Sequence, residues 1–300
     1  MQISTKLFNQ QTLQRLGDLH GEIQNRQARI ATGKNILNAS DDPIAAANIS
    51  VAKEQKQELS RYLENIDRAK NKLELTEGAM EQTINILTRI YELTIQAEND
   101  VNSASDRAAI KMEITQLKDA MFDVVNTEDA SGQALFAGYK VNQNAFEKDI
   151  DGNIQYIGDR GKNYLKIAEN MTLSTGIDGA TAFLRVPSEN DHKSVFRVIE
   201  AIEDGFDTGS FPDIAISDLQ RGIEHFGLQQ TYIGAQINKA NIQEEALQRR
   251  QIIMSENLSQ LEDADITKLV TELQTMLVNR DAATQAFAKI GQQSLFDFLR

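Results

Sequence analysis

The sequence predicts a mainly α-helical protein, a long antiparallel helical rod or coiled-coil bundle with a small β-rich domain inserted at its tip. Three observations predict this fold. Apolar residues repeat every seven positions in three separate stretches, which is typical of helices packed in left-handed coiled coils. Only 6% of the 300 residues are aromatic and three are proline, a composition that favours long helices. Between the helical stretches, frequent glycine and alternating apolar residues indicate strands.

The first predicted segment, residues 1–40, is helical and basic. Its heptad positions are Leu16, Ile23, Ile30 and Leu37, and it carries five basic and two acidic groups although the chain as a whole has a net charge of −13. Apolar residues also lie off this stripe. A helix with apolar residues on more than one side requires further partners.

The second segment, residues 41–129, opens at Ser40-Asp41-Asp42-Pro43, an acidic cap followed by proline at the first helical position. Its heptad runs through Leu59, Ile66, Leu73, Met80 and Leu87 and continues to Thr94 and Val101. At ~1.5 Å per residue this helix would be about 85 Å long. The polar interval 99–106 predicts a turn, and a shorter helix should follow to about Thr127.

The third segment, residues 130–190, is the predicted β-rich domain. Tyr164–Ile167 and the pair Ile154 and Tyr156 have strand-like spacing. We expect hairpin turns at Asp151-Gly152 and at Asp159-Arg160-Gly161.

The helical pattern returns in residues 191–264 and in the last segment, 265–300. It begins at Ser194, breaks between Gly205 and Pro212, and resumes from Asp213 to Leu261, with a third heptad through Ile233, Ala240, Leu247, Met254 and Leu261. After residues 263–265 a last helix should run to about Ser294. Because distant heptads can pair, we expect the chain to run out along a rod, form the β-domain, and return with its termini together.

Few residues are candidates for chemistry. The chain has no cysteine, which excludes disulfides, thiol nucleophiles and thiolate metal sites. His20, His192 and His225 lack the spacing of a helical zinc pair and are interpreted as surface or packing residues. Glu147, Asp149, Asp151 and Gly152 imitate the start of a calcium loop, but its twelfth position is Gly158 where a bidentate glutamate is needed. The sequence therefore predicts neither an enzyme nor a cofactor.

Composition also limits the partners and the location. A net charge of −13 argues against nucleic acid, which is bound by basic faces. No run of ~18 apolar residues predicts a membrane span. The first residues lack the pattern of an ordinary signal peptide, so export would need a different route.

The apolar surface of the two ends is the candidate functional site. An intramolecular pair of helices would explain the heptads alone, but such a pair buries only one stripe on each helix. Self-association through the ends explains the remaining apolar residues. The predicted assembly interface comprises Ile3, Leu7, Leu16, Ile23, Ile30, Phe287, Ile290, Leu295, Phe296, Phe298 and Leu299.

Several motifs resemble those of the bacterial flagellin superfamily. The run 31–47, ATGKNILNASDDPIAAA, is similar to its N-terminal signature. The run 131–138, SGQALFAG, is similar to its exit from the helical rod into the outer domain, and 151–159 follows in the expected place. The end of the chain, Ala283–Leu299, is similar to the superfamily's terminal helix.

Three details favour a hook–filament junction subunit over a filament flagellin within the superfamily. They are the proline after Asp41-Asp42, the run 131–138, and the SLFDFL ending at 294–299. Arg300 is more flagellin-like and keeps a minor filament flagellin as an alternative. An enzyme or ligand-binding adhesin carried by the β-rich domain is a further alternative from another class.

The resemblance implies a location and partners. Such proteins leave the cell unfolded through the flagellar type III export apparatus, guided by an export chaperone. They form a ring between the first hook-associated protein and the flagellin filament. Their terminal helices pack in the inner tube, and the central rod and outer domain face outward.

Overall fold

The protein is represented by a computed structural model that describes residues 2–98, 103–189, 191–208 and 211–298. For residues 2–6, 9 and 290–298 it describes the backbone only. Long helices dominate and a small region contains strands, so the predicted mainly α fold class is confirmed. The helices are α1 Gln2–Thr32, α2 Pro43–Glu98, α3 Ala104–Val125, α4 Gly179–Phe183, α5 Val195–Thr208, α6 Asp213–Glu262 and α7 Ile266–Phe298.

The strands form three separate antiparallel hairpins. In each hairpin a strand pairs with the strand that follows it in sequence. The strands are β1 Phe146–Lys148, β2 Ile154–Tyr156, β3 Tyr164–Ala168, β4 Met171–Ser174, β5 Val186–Pro187 and β6 His192–Lys193.

The chain divides into two compact units. The terminal unit contains Met1–Glu58 and Arg250–Arg300, and the central unit contains Leu59–Arg249. In the terminal unit α1 packs against α7 around Ile23 and Leu269, which are 2% and 6% exposed. Arg26 and Glu272 form an ion pair of 3.2 Å between the same two helices. The first and last helices therefore pack together, but α1 ends at Thr32, so Leu37 of the predicted first heptad lies outside it.

The predicted start of α2 is confirmed. The helix begins at Pro43, and the Asp42 carboxylate accepts hydrogen bonds from the backbone N–H groups of Ile44 and Ala45 at 3.1 and 3.0 Å. These N–H groups have no partner within the helix, so an aspartate at this position stabilises its first turn.

In the central unit the α2 heptad from Leu59 to Leu87 is buried, with every position at most 3% exposed. A second buried row runs in parallel and includes Thr76 and Thr83. Their hydroxyl groups donate to the carbonyls of Lys72 and Ala79, four residues earlier, at 2.7 and 2.8 Å. Because each hydroxyl is satisfied within its own helix, a threonine is tolerated in the core.

Helix α2 lies antiparallel to α6 within the central unit. Lys70 pairs with Glu244 at 2.9 Å, and the Tyr91 hydroxyl accepts from the Gln220 amide at 2.7 Å. As the residue number rises along α2, the residue number of its partner on α6 falls, so the two helices run in opposite directions. The buried third-heptad residues Ile233, Ala240 and Leu247 confirm that this stretch of α6 faces the core.

Helix α3 begins earlier than predicted. Ser103 and Asp106 form a capping box in which each side chain accepts from the other's backbone N–H. Residues 104–106, predicted as part of a turn, are therefore the first turn of the helix. The helix ends at Val125, close to the predicted end, and packs against α5.

Five buried phenylalanines form the core of the strand-containing region. Phe183 contacts Phe136, Phe146 and Phe226 with ring centroids 5.1, 5.6 and 5.2 Å apart, and Phe146 also contacts Phe196 at 5.7 Å. Each of the five is at most 1% exposed. Five of the chain's twelve phenylalanines thus pack together in this region.

One of the two predicted hairpin turns is correct. Asp151-Gly152 joins β1 to β2, and Gly152 has a φ of +84°, which favours glycine. The prediction for Asp159-Arg160-Gly161 is wrong, because β2 pairs with β1 and β3 pairs with β4. Asp159 instead accepts from the backbone N–H groups of Tyr139 and Gly161 at 2.8 and 2.7 Å, which ties this loop to the residue that directly follows the run 131–138.

Candidate assembly surface

The terminal unit exposes more large apolar side chains than it buries. Among its described side chains, the buried hydrophobic residues are Ile23, Ile49, Ala52 and Leu269. A unit with so small a core gains little hydrophobic stabilisation of its own. The exposed large hydrophobic residues are Leu7, Phe8, Leu13, Ile44, Val51, Ile252, Ile253, Ile266, Val270 and Val278.

The predicted interface residues fall into three groups. Leu7 is 55% exposed, and Leu16, Ile30 and Phe287 are partly exposed. Ile23 is buried against α7, so in this chain it is a packing residue and not part of the exposed surface. The described side chains do not include those of Ile3, Ile290, Leu295, Phe296 and Phe298, and Leu299 lies outside the described residues.

Helix α1 exposes further apolar side chains beside its heptad stripe. Leu16, Ile23 and Ile30 follow a seven-residue spacing toward α7, and Leu13, three residues before Leu16, is 60% exposed. On α7, Leu269 is buried while Val278 is 67% exposed. We call the exposed set on these two helices the terminal apolar surface: Leu7, Phe8, Leu13, Ile266, Val270 and Val278.

A clamp of charged and backbone groups holds the α1–α2 connection to the α6–α7 connection. Glu262, at the end of α6, is 8% exposed and its carboxylate accepts from Lys34 and Lys53 at 2.6 and 3.0 Å. The backbone N–H of Asn35 donates to the Glu262 carbonyl at 2.8 Å, and that of Ala264 donates to the Gly33 carbonyl at 2.9 Å. We call these groups the loop clamp.

The loop clamp shifts the pKa of its charged groups. The hydrogen bonds from Lys34 and Lys53 lower the pKa of Glu262, because they stabilise the ionised carboxylate. The hydrogen bond to Glu262 raises the pKa of Lys34. The sequence singled out Lys34 only as part of a motif, and its partner is more than two hundred positions away.

The histidines are packing or surface residues, as predicted. His225 Nε2 lies 3.0 Å from the Ala182 carbonyl oxygen, and burial lowers the pKa of this imidazole. His20 Nε2 lies 3.2 Å from the Gln24 amide on the exposed side of α1. Across the residues that the structure describes, no three histidine, aspartate or glutamate side chains are grouped to hold a metal ion.

The acidic run Glu147–Gly152 folds as a hairpin turn. The Asp149 carboxylate accepts from the backbone N–H groups of Asp151 and Asn153 at 2.9 and 2.8 Å, and from the Gln155 amide at 2.9 Å. Those hydrogen bonds, first of all the one from Asn153, lower the pKa of Asp149. The carboxylate thus forms its hydrogen bonds within the hairpin, as the hairpin interpretation predicts.

None of the helices in the described part of the chain has a stretch apolar and long enough to cross a membrane.

Two family descriptions match this chain. The N-terminal helical region of bacterial flagellin matches residues 3–141, and the C-terminal helical region of bacterial flagellin matches residues 217–299. The unmatched interval holds β1 to β6, α4 and α5.

Individual relatives agree with the family descriptions. Flagellar hook-associated protein 3 of Salmonella typhimurium is 25% identical over 249 residues, which are 80% of this chain and 74% of that protein. Flagellar hook-associated protein 3 of Escherichia coli is 30% identical over 149 residues, about half of each chain. Flagellin FlaB1 of Treponema pallidum is 25% identical over 300 residues, 98% of this chain and 97% of that protein.

A solved structure has the same fold. The crystal structure of flagellar hook-associated protein 3 from Legionella pneumophila aligns with a TM-score of 0.67. The alignment covers 71% of this chain and 98% of that one, at 16% sequence identity.

Proposed function

The chain belongs to the bacterial flagellin family, and we propose that it is the structural subunit that joins the flagellar hook to the filament. Two relatives named flagellar hook-associated protein 3 support a junction role over other roles in the family. The single observation that carries self-association is the terminal apolar surface on a unit with a small core. The family is one of structural flagellar proteins, and we propose no catalytic role.

The terminal apolar surface suits a polymer. Leu7, Leu13 and Val278 are each more than half exposed, so packing α1 and α7 against helices of neighbouring subunits would remove these side chains from water. Burial of apolar surface contributes about 25 cal/mol per Å². In the assembled ring the terminal helices would line the inner tube. All of the predicted interface residues at the two ends of the chain would then contribute to the contacts between subunits.

The loop clamp gives the terminal unit a defined shape before it meets a neighbour. It fixes the connection of α1 to α2 on the same element that leads from α6 into α7. A preorganised unit loses less conformational entropy on assembly than a disordered one. We infer that the clamp presents the two terminal helices as one packing element.

The partners that we propose are those of a junction. One side of a ring of subunits would contact hook-associated protein 1, and the other would contact flagellin. The subunit would reach this position outside the cell through the flagellar type III export apparatus, with an export chaperone. Each of these steps is a proposal that follows from the junction role.

Localisation tests the proposal directly. Labelled antibody against this chain should give one spot at the base of each filament, between hook and filament. A minor filament flagellin is the second candidate, since the FlaB1 match covers 98% of this chain. Label along the filament would favour that candidate and overturn the junction.

Truncation tests the role of the ends. Removing residues 1–30 or 285–300 should leave the central unit folded, because its buried residues lie in Leu59–Arg249, and should stop filament growth on hooks. Helical content and a cooperative unfolding transition would check folding. Normal filament growth with either truncated chain would rule out assembly through the ends.

A further inference from the structure

A cleft in the central unit has no role in the packing described above. It has a volume of about 730 Å³, within the range of about 300–1,000 Å³ found for ligand sites. Residues from α2, from the loop 129–141 and from β3 line it. Tyr139, Tyr164 and Leu75 line it and are 64%, 58% and 42% exposed.

The cleft carries more positive than negative charge. Arg68 and Lys72 lie in its wall, and the charge of Asp129 attracts that of Lys72. Burial lowers the pKa of Lys72. The carboxylate of Asp129, also in the wall, is occupied by the backbone N–H groups of Ser131 and Gln133 at 2.8 and 3.1 Å. The cleft therefore combines apolar surface with two cations against one carboxylate, in a protein with a net charge of −13.

The β1–β2 turn has the opposite character. Ile150, at its tip, has the largest exposed fraction of any large apolar side chain in the described residues, with no shielding by the rest of the chain. Asp151 follows it and is exposed, and Glu147 precedes it on β1. The turn is an apolar knob with free carboxylates beside it.

The turn is also rigid. The Asp149 carboxylate holds the backbone N–H groups of Asp151 and Asn153, and Lys148 is paired with Asp119 at 2.8 Å. A preorganised turn loses little conformational freedom when it docks. Because Ile150 is fully exposed, it does not occupy the cleft of its own chain.

We propose that the β1–β2 turn of one copy docks into the cleft of a second copy, with Ile150 against the apolar side chains and Asp151 facing Lys72. The carboxylates beside Ile150 complement the positive charge of the cleft, and Ile150 itself is fully exposed on its own chain. We therefore take a second copy of the chain as the occupant. Because the contact joins two different surfaces of the subunit, it can be repeated from one copy to the next. A row of such copies closes into a ring if the rotation between neighbouring copies brings the last one back to the first. This inference rests on the proposed function, since it names a lateral contact of the same assembly.

Cross-linking tests the contact, because a chain without cysteine allows each thiol to be placed alone. Cells in which the native chain is replaced by two variants, Ile150→Cys and Leu75→Cys, would be treated with a short bis-maleimide. We expect several-fold more cross-linked dimer on a denaturing gel than from either variant alone. The matched control pairs Ile150→Cys with Met112→Cys, an equally helical but remote position that is 70% exposed. Equal yields from the two pairs would overturn the docking.

A charge exchange gives an independent result. Lys72→Glu should reduce incorporation of the subunit into flagella, and adding Asp151→Lys in the same chain should restore it. Failure of Lys72→Glu to change incorporation, or failure of the second change to restore it, would overturn the contact. These outcomes are separate from the proposed function: a single antibody spot at the filament base with no selective cross-link refutes only the docking, and label along the filament refutes only the junction.

Discussion

The terminal unit and the central unit use apolar residues in opposite ways. In the central unit, heptad residues and five phenylalanines are buried to at most a few per cent, and many more hydrophobic residues are buried than are exposed. In the terminal unit, four hydrophobic residues are buried among the described side chains, and exposed ones line both terminal helices. The difference teaches that one unit is stabilised by its own core, whereas the other exposes the apolar surface that our proposal assigns to contacts with neighbouring subunits.

The largest expected effect is in the aromatic core of the central unit. Phe183→Ala removes a ring that is fully buried and contacts three other phenylalanines. It should lower the free energy of unfolding by about 3–5 kcal/mol. Urea denaturation followed by circular dichroism would measure this loss. Leu228→Ala on α6, where the side chain is 69% exposed, is the control and should change little.

A buried carboxylate in the central unit is expected to matter next. Asp218 is 1% exposed and accepts from the Ser188 hydroxyl at 2.8 Å and from Lys193 at 2.7 Å. Asp218→Ala should lower the free energy of unfolding by about 2–3 kcal/mol, below the usual cost for a fully buried pair because Lys193 can be solvated. Asp218→Asn keeps part of the hydrogen bonding and should lose less. An equal loss in both variants would show that charge alone decides this site.

The sequence predicts the helices of both units well, because their signals are local. The Asp42-Pro43 cap places the start of α2, and the seven-residue repeat identifies the buried face from Leu59 to Leu87. Thr76 and Thr83 lie in the same core, but a polar side chain gives no sign of burial when its hydroxyl is satisfied by its own helix. Local pattern therefore underestimates the core of the central unit.

The contacts between distant residues could not be predicted in the same way. Lys53 and Glu262 are 209 positions apart, and the five phenylalanines of the core come from a loop, one strand and three helices that are separated in sequence. Short strands have weak patterns, which is why the hairpin at Asp159-Arg160-Gly161 was wrong and β5 and β6 were not predicted. The predicted interface residue Ile23 has the same pattern as a residue in an exposed stripe, and only packing of α1 on α7 shows that it is buried.

The loop clamp should make the connection between α1 and α2 sensitive to acid. The pKa of Glu262 is lowered in the folded chain, so its contribution is fully present above the ordinary glutamate value of about 4.3 and is lost as pH falls through the lowered pKa. Since Lys34 and Lys53 are about half exposed, the effect should be on the order of 1 kcal/mol. Hydrogen exchange of the Asn35 and Ala264 amides, corrected for intrinsic rates, would measure local opening.

The variant Glu262→Gln removes the negative charge of the loop clamp at neutral pH, so its effect can be measured apart from the protonation of other carboxylates. At neutral pH this variant should open the α1–α2 connection as acid does in the native chain, while amides of the central unit keep their protection. Glu256→Gln, on the same helix but exposed, is the matched control. Unchanged exchange at Asn35 and Ala264 in Glu262→Gln would show that the backbone hydrogen bonds hold the connection without the charges.

The smallest change in stability is expected for exposed residues of the terminal helices, and these substitutions test the difference between the two units most directly. Leu13→Asp and Val278→Asp replace side chains that are 60% and 67% exposed, so each should shift the free energy of unfolding by no more than about 0.5 kcal/mol. Both should nevertheless stop filament growth, because a carboxylate buried between subunits lacks a partner. Electron microscopy of filaments would be set beside urea denaturation of the purified chains. Ile242→Asp, on an equally exposed residue of the central unit, should leave both measurements unchanged. If the terminal variants assemble as well as Ile242→Asp, exposure on α1 and α7 has no role in assembly, and the two units differ only in the size of their cores.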